Sequence, residues 1–459
     1  MLILQTIRAA SNHGGSSKVV KDVCIDLACH GHSVTLLCGA TADNSIAYEL
    51  APGVNVQPEL PYRQSWQDTW LVPPADMSRI IMTVAARACD ADRIVVFDSH
   101  FLFPDVFPID VPVVWSLRDF VYVQAMQGSM AFRRDLLVTP SNYIRDAYCD
   151  AVGGWLPGIR DRVVAVKNGI NLERYGPRDP SRVRTLLGVG NAPLLLFPHR
   201  PEQAKGLGVA LHLCERLAKG DLPHVRLLIL RGTDIAIMPA VRDFYSQLDR
   251  EIERLGISHN VIFHDWVQPD EMPEIYSASS ATLCLGDIVE ACSNTTLEST
   301  ACGTPVVAYN IACYREFPDD VRKVGVGDLA AAEQALRGLL FGSDVLDVDR
   351  ARSTLRARFS HGDMLDGFRR AVEETSVLPP LVPKVQPLSS VKIPVWISLQ
   401  GRGLYDEYKK RFVSEELMAA IWSRNGRDPF DWRDYASKSG VLELVHSGVL
   451  VPAESGKTS

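Results

Sequence analysis

No window of this chain holds the roughly 18 uninterrupted apolar residues of a membrane-crossing helix. None of its ten cysteines stands in a C-x-x-C pair. Scattered thiols in a chain of 459 residues read as reduced and mostly packed in a core, which points to a cytoplasmic protein. There is no long Lys/Arg run. With a net charge of −7, electrostatics does not recruit nucleic acid in general. Short-period repeats are absent. The start, MLILQTIRAASNHGG, has four apolar residues before polar ones. That is too short for a secretory h-region and reads as a first buried strand. Peripheral membrane contact and oligomeric state are left open.

What is present is alternation. Short apolar runs (MLILQTI, SVTLLCG, RIVVFDS, VPVVWSL, LLVTPS, VVAVKNG) are interleaved with helical segments such as SSKVVKDVCIDLACHG. This pattern implies a parallel sheet covered on both faces. The pattern restarts at PLLLFPH and runs through KGLGVALHLCERLAKG, VRLLILRG, VIFHDWV, DEMPEIYSAS and ATLCLG. The expected class is α/β, with two doubly wound Rossmann-like domains facing a cleft and a small, mostly helical C-terminal module. Expected boundaries are 1–185, 186–376, a proline-rich linker over 377–394 and the module over 395–459. The module's aromatics (Trp396, Tyr405, Trp422, Trp432) read as a small core of their own.

Chemistry concentrates in VEACSNTTLESTACGTPVVAYN, residues 289–310. Glu290 and Glu298 have seven residues between them, and no basic residue in the stretch pairs with either. ATLCLG and TPVVAY read as flanking strands. Ser293 or Asn294 can cap a helix that ends at Gly303 before Pro305. Glu290 then lies in the loop at the strand's C-terminal end, and Glu298 lies inside the helix. Ligands bind at that edge of an open α/β sheet, and the N–H groups of a helix start suit a diphosphate. Two carboxylates beside an anion site would accept hydrogen bonds from hydroxyls, a sugar on one side and a ribose on the other. Arg200 follows strand LLLFP, and Lys205 opens the next helix. Both are placed to stabilise negative charge on a departing diphosphate.

With E-x7-E followed by A-x-G-x-P-V-V, and with HRPEQAKG, the sequence resembles the GT-B-fold retaining glycosyltransferases of family 4, with their glycogen-synthase-like C-terminal domain. The resemblance covers roughly residues 1–376. It implies that Glu290 contacts donor sugar hydroxyls, Glu298 holds the ribose, and Arg200 and Lys205 bind the diphosphate. The helix start Ser293, Asn294, Thr295 and Thr296 would complete the donor site. Gly14 and Gly15, in the first βα turn beside His13, match the glycines that bring backbone N–H groups to the diphosphate. AVKNGINLERYGP matches a structural Asn–Gly stretch, and Glu316 matches a glutamate after the donor site. Arg118, followed by Asp119, stands where relatives often carry a histidine near the reacting sugar. His100 matches another histidine position. Ala291, Cys292 and Ser293 replace a common Gly–Phe–Gly, and Asp265 replaces a usual glycine near the nucleobase.

The expected activity is sugar transfer from a nucleotide-diphosphate sugar, UDP or GDP first, to an unidentified acceptor, with a retaining and metal-independent course. No D-x-D or His/Asp cluster falls at a plausible site, so no metal and no cofactor beyond the donor is expected. The same fold is also compatible with a sugar phosphorylase, a nucleotide-sugar epimerase, or a non-catalytic nucleotide-sugar-binding partner protein.

Overall fold

The computed structural model describes the chain apart from residues 6–14, 41–44, 62–71, 98–105, 200–202, 232–238, 266, 268–269, 385–387, 415 and 454–459. The chain forms two compact units. The first comprises Met1–Asn168, Gly362–Ser398 and Leu404–Ser459, and the second Gly169–His361 with Leu399–Gly403.

The first unit is built on an eight-stranded sheet. Its strands are β1 (Leu2–Gln5), β2 (Val34–Gly39), β3 (Tyr48–Ala51), β4 (Val54–Leu60), β5 (Ile94–Phe97), β6 (Val113–Ser116), β7 (Leu136–Thr139) and β8 (Val163–Ala165). Their order is β3-β4-β2-β1-β5-β6-β7-β8. All pairs are parallel except β3 with β4 at one edge. Continuous apolar runs become central strands because both faces are covered: every residue of β5 and of β6 is buried. β4, next to the edge, alternates instead.

The second unit has a six-stranded, all-parallel sheet of β9 (Leu194–Phe197), β10 (Arg226–Arg231), β11 (Val261–Asp265), β12 (Ala281–Cys284), β13 (Val306–Tyr309) and β14 (Val321–Val324). Its order, β11-β10-β9-β12-β13-β14, is the 3-2-1-4-5-6 arrangement of dinucleotide-binding sheets.

Three features differ from the sequence reading. The chain leaves the first unit at Asn168 rather than near 185, and helix His361–Glu374 returns to it almost whole. Met364, Phe368, Ala371 and Val372 of that helix join the core of Ile3, Val20, Val95 and Phe97, and Phe368 stacks on Phe97 at 5.5 Å. The proline-rich segment is not a free linker. Leu378 N donates to Asp135 Oδ1 at 2.7 Å, Leu381 N to Arg133 O at 2.9 Å and Lys384 N to Trp155 O at 2.8 Å. A segment without apolar periodicity can still be strapped down by its backbone, and composition does not report that.

The C-terminal module is also less helical than expected. Besides helices Glu416–Asn425 and Lys438–His446 it has two three-stranded sheets. One joins β15 (Ser390–Lys392) to β19 (Phe430–Asp431) and β20 (Val451–Pro452); the other joins β16 (Ile397–Gln400), β17 (Gly403–Asp406) and β18 (Arg411–Phe412). Strands of two to four residues are too short to show alternation. The module has its own core, including Val391, Met418, Ile421, Phe430 and Leu444, with Trp396, Trp422 and Trp432 packed against it, as the sequence indicated. Seven of the ten cysteines are buried, and all are free thiols. Among the described residues no helix is long and apolar enough to cross a membrane.

Candidate functional site

In the second unit the strand order reverses between β9 and β12, so a crevice opens outside their C-terminal ends. The loops leaving these strands meet backbone to backbone. Gly206 has φ +88°, and a Cβ on it would lie 2.2 Å from Leu285 O. Across the contact, a Cβ on Gly286 would lie 2.5 Å from Ala204 O. Only glycine permits this approach. Lys205 ends the short 3-10 turn Gln203–Lys205, and its ammonium pairs with the Glu290 carboxylate on the β12 loop. The two side chains are 11% and 20% exposed, so the pair is sheltered without being sealed from an entering ligand. The backbone of Glu290 is held as well: its carbonyl accepts from Cys313 N at 3.3 Å.

Helix Asn294–Ala301 starts in the same crevice. Ser293 is its N-cap, accepting from Thr296 N at 3.3 Å and sharing a 2.9 Å hydroxyl contact with Thr296 Oγ1. Ser299 Oγ donates to Thr282 Oγ1 at 2.8 Å or to Thr304 O at 2.9 Å, which pins the helix to β12. Gly303, with φ +84°, ends the helix as its position in the sequence implied. The helix start, with Ser293, Asn294, Thr295 and Thr296, is thus presented beside the Lys205–Glu290 pair.

Glu298 is held by tyrosines that the sequence did not flag. Tyr276, in helix Met272–Ala278, donates its hydroxyl to Glu298 Oε2 at 3.1 Å. Burial raises the Tyr276 phenol well above its ordinary value, and the negative Glu298 adds to the shift. The Tyr175 phenol is raised in the same way, by burial first and then by Glu298. Both rings are about 1% exposed. Tyr276 lies 22 residues from Glu298, and no short-range motif links them. His199, just before Arg200, is fixed by Nε2 donation to Leu283 O at 2.9 Å. Arg200 itself lies outside the described residues.

The first unit holds most of the remaining candidates. Arg118 is 8% exposed. Its guanidinium donates to Asn168 Oδ1 and lies 5.8 Å from the Phe368 ring centroid. The Asn–Gly stretch read as structural therefore anchors Arg118. Asp119 Oδ1 accepts from Tyr122 N at 3.4 Å and Val121 N at 3.5 Å, closing the turn before helix Val123–Met130. Gly15 is the first residue of helix Gly15–Cys29. Gly14, His13 and His100 fall outside the described residues. Glu316 ends a 3-10 turn, Ala312–Glu316, in the second unit.

Behind Asp119 stands the C-terminal module. Tyr143 donates its hydroxyl to Glu407 Oε2 at 2.7 Å, and Glu407 is fully buried. The Tyr408 phenol is raised by burial first, then by the charges of Glu407 and Asp119. Phe120 meets Tyr148 and Tyr408 edge to face, at 5.8 and 6.3 Å.

The fold is of the GT-B type, with two Rossmann-like sheets. Sucrose-phosphate synthase from Thermosynechococcus elongatus superposes with a TM-score of 0.68 at 16% identity, over 80% of this chain and 97% of that one. Anabaena HepE in complex with UDP-glucose does so with a TM-score of 0.65 at 17% identity, over 80% and 98%. At these identities the likeness establishes the fold.

The sequence comparisons narrow the class. Residues 184–321 match the family described as "Glycosyl transferases group 1", so the second unit carries the signature of that family. The D-inositol 3-phosphate glycosyltransferase of Frankia alni is 32% identical over 173 residues, 38% of this chain and 41% of that protein. The GDP-mannose-dependent alpha-(1-6)-phosphatidylinositol monomannoside mannosyltransferase of Mycolicibacterium smegmatis is 25% identical over 183 residues, 38% of this chain and 44% of that protein. The chain thus matches about two fifths of the length of these curated relatives.

Proposed function

We propose that this chain is a retaining, metal-independent glycosyltransferase that moves a sugar from a nucleotide-diphosphate sugar to a hydroxyl acceptor. The observation that carries this reading is the Lys205–Glu290 ion pair at the switch point, beside the Ser293-capped helix start. A lysine ammonium donates in three directions, so pairing with Glu290 is compatible with contact to phosphate. Lys205 and the helix N–H groups would stabilise the charge that builds on the departing diphosphate. Glu290 would orient the sugar hydroxyls. Glu298, with its carboxylate set by Tyr276 and Tyr175, would accept from the ribose hydroxyls. Arg200 would add a second cation. In this reading the protein supplies by its own cations what a divalent metal supplies elsewhere, and no further cofactor takes part. The protein works in the cytoplasm.

For the acceptor, the names of the two curated relatives give a starting set: D-inositol 3-phosphate and a phosphatidylinositol monomannoside. UDP and GDP sugars are the first donors to test. A thermal-shift screen against UDP, GDP, ADP and TDP sugars tests the reading, because a ligand bound only by the native state raises its stability, by about 2.7 kcal/mol at a hundred times Kd. At least one donor is expected to raise Tm, with the same shift in EDTA. Flat melting curves with every donor would remove the basis for the proposal.

A further inference from the structure

Arg231 is the last residue of β10, the strand beside β9 on the side away from β12. Its guanidinium carbon lies 4.1 Å from the ring centroid of Phe263, on β11, and 5.8 Å from that of Tyr245. Its Nε is buried with no hydrogen-bond partner. Among the described residues no carboxylate pairs with it, and Asp265, its register partner on β11, makes no ion pair with it. Other arginines of the unit behave differently. Arg216 pairs with Glu333, Arg322 with Asp344 and Arg350 with Asp320. A half-buried arginine that stacks on an aromatic ring, at a sheet edge where ligands bind, has hydrogen-bonding capacity that the described part of the unit does not use.

Position says which part of a ligand would meet it. In a 3-2-1-4-5-6 sheet the phosphates lie at the switch point, and the nucleoside extends over the end of the second strand. β10 is that second strand. We infer that Arg231 reads the base of the donor nucleotide, an assignment that rests on the donor reading above. Phe263 holds one face of the guanidinium and fixes its plane. The N–H groups are all donors, so they match a base edge that presents carbonyl or ring-nitrogen acceptors. Guanine offers O6 and N7, and uracil offers O4. Adenine presents an amino group where guanine has O6, which leaves a donor facing a donor. A lysine cannot replace this function, because it lacks the planar fork.

The test is calorimetric titration of the full chain with GDP, UDP, ADP and inorganic pyrophosphate at one fixed salt concentration. The proteins are the wild type, Arg231→Ala, Arg231→Lys and Arg231→Met. The methionine keeps the stacked volume without donors, so it covers the case in which the alanine variant fails to fold. In the wild type, GDP or UDP is expected to bind at least about tenfold tighter than ADP, and the two arms show which. Arg231→Met should bring GDP, UDP and ADP within about threefold of each other with pyrophosphate unchanged, and Arg231→Lys should not restore the preference. Lys205→Ala should instead weaken all four ligands together. A wild-type ratio kept in Arg231→Met overturns the base-reading role alone. So does a parallel loss that includes pyrophosphate, since Arg231 would then be a phosphate ligand. A wild type that binds no nucleotide overturns the donor reading as well.

Discussion

In the second unit, the ends of β9 and β12 meet through two glycines, and a lysine and a glutamate from their loops pair over the contact. In the first unit, the loop after β6 carries Arg118 and Asp119. It is held by Asn168 and Phe368, and Phe120 meets Tyr408 of the C-terminal module edge to face. Both sheets expose a C-terminal edge to loops. In one, side chains within the same unit's βα loops hold that edge in place. In the other, the support comes from residues far along the chain, Asn168, Phe368 and Tyr408. The difference teaches that a polar crevice needs close backbone approach, whereas a loop bearing a buried arginine needs hydrogen-bond acceptors and aromatic surface around it.

The contrast can be broken from either side. Lys205→Ala should have the largest effect. Loss of one charge-stabilising donor typically costs a factor of about 10²–10³ in kcat, and the melting curve should hardly move. Transfer at the wild-type rate would sink the site assignment. Glu407→Ala acts on the other unit. It removes the buried bond between Glu407 and the Tyr143 hydroxyl and opens a cavity, for a loss of about 2–4 kcal/mol. Glu407→Gln, whose amide oxygen can still accept, should recover much of it. Chemical denaturation should show the loss in the first unit, with donor affinity retained. Equal loss in both variants would mean that the Tyr143 contact is unimportant.

Gly206→Ala comes third. The added methyl meets Leu285 O and forces a left-handed conformation on an L side chain, about 1–2 kcal/mol before any loop shift. Donor affinity should fall more than stability, which titration against melting would separate. The smallest effect is expected at Glu333. Its carboxyl is held below its ordinary value near 4.5 by the hydrogen bond from Arg216 and, further, by Arg337. Because the folded value is depressed, the stabilisation is present above pH 4.5 and lost as pH falls through the folded value. Glu333→Gln should cost less than about 1 kcal/mol at pH 7, with the gap to wild type closing in acid. A gap that stays constant to low pH would assign the effect to packing.

Much of the second unit was legible in the sequence. Runs such as LLLF and VVAY are short, have no polar face and are bounded by Pro or Gly, so they read as strands covered on both sides. Ser293, Gly303 and Pro305 mark a helix start and stop through local backbone chemistry. The E-x7-E spacing put one glutamate in a loop and one in a helix, and the structure has them there. What was not legible depends on distance. Tyr276 and Tyr175 reach Glu298 from separate segments. Phe368 reaches β5 after the chain has passed through another unit, and Glu407 finds Tyr143 although nothing near either residue announces a partner. The proline-rich strap was misread because its hold on the first unit is made by backbone N–H groups, which every residue but proline carries.

The sequence by itself determined the α/β alternation and the capped helix that follows β12, because each follows from neighbours within a few residues. The pairing of Lys205 with Glu290, the strand order that opens a crevice between β9 and β12, the stacking of Arg231 on Phe263, and the return of the last helix to the first unit were decided only in three dimensions. Each depends on which remote surfaces are buried together, and burial is a property of the packed chain.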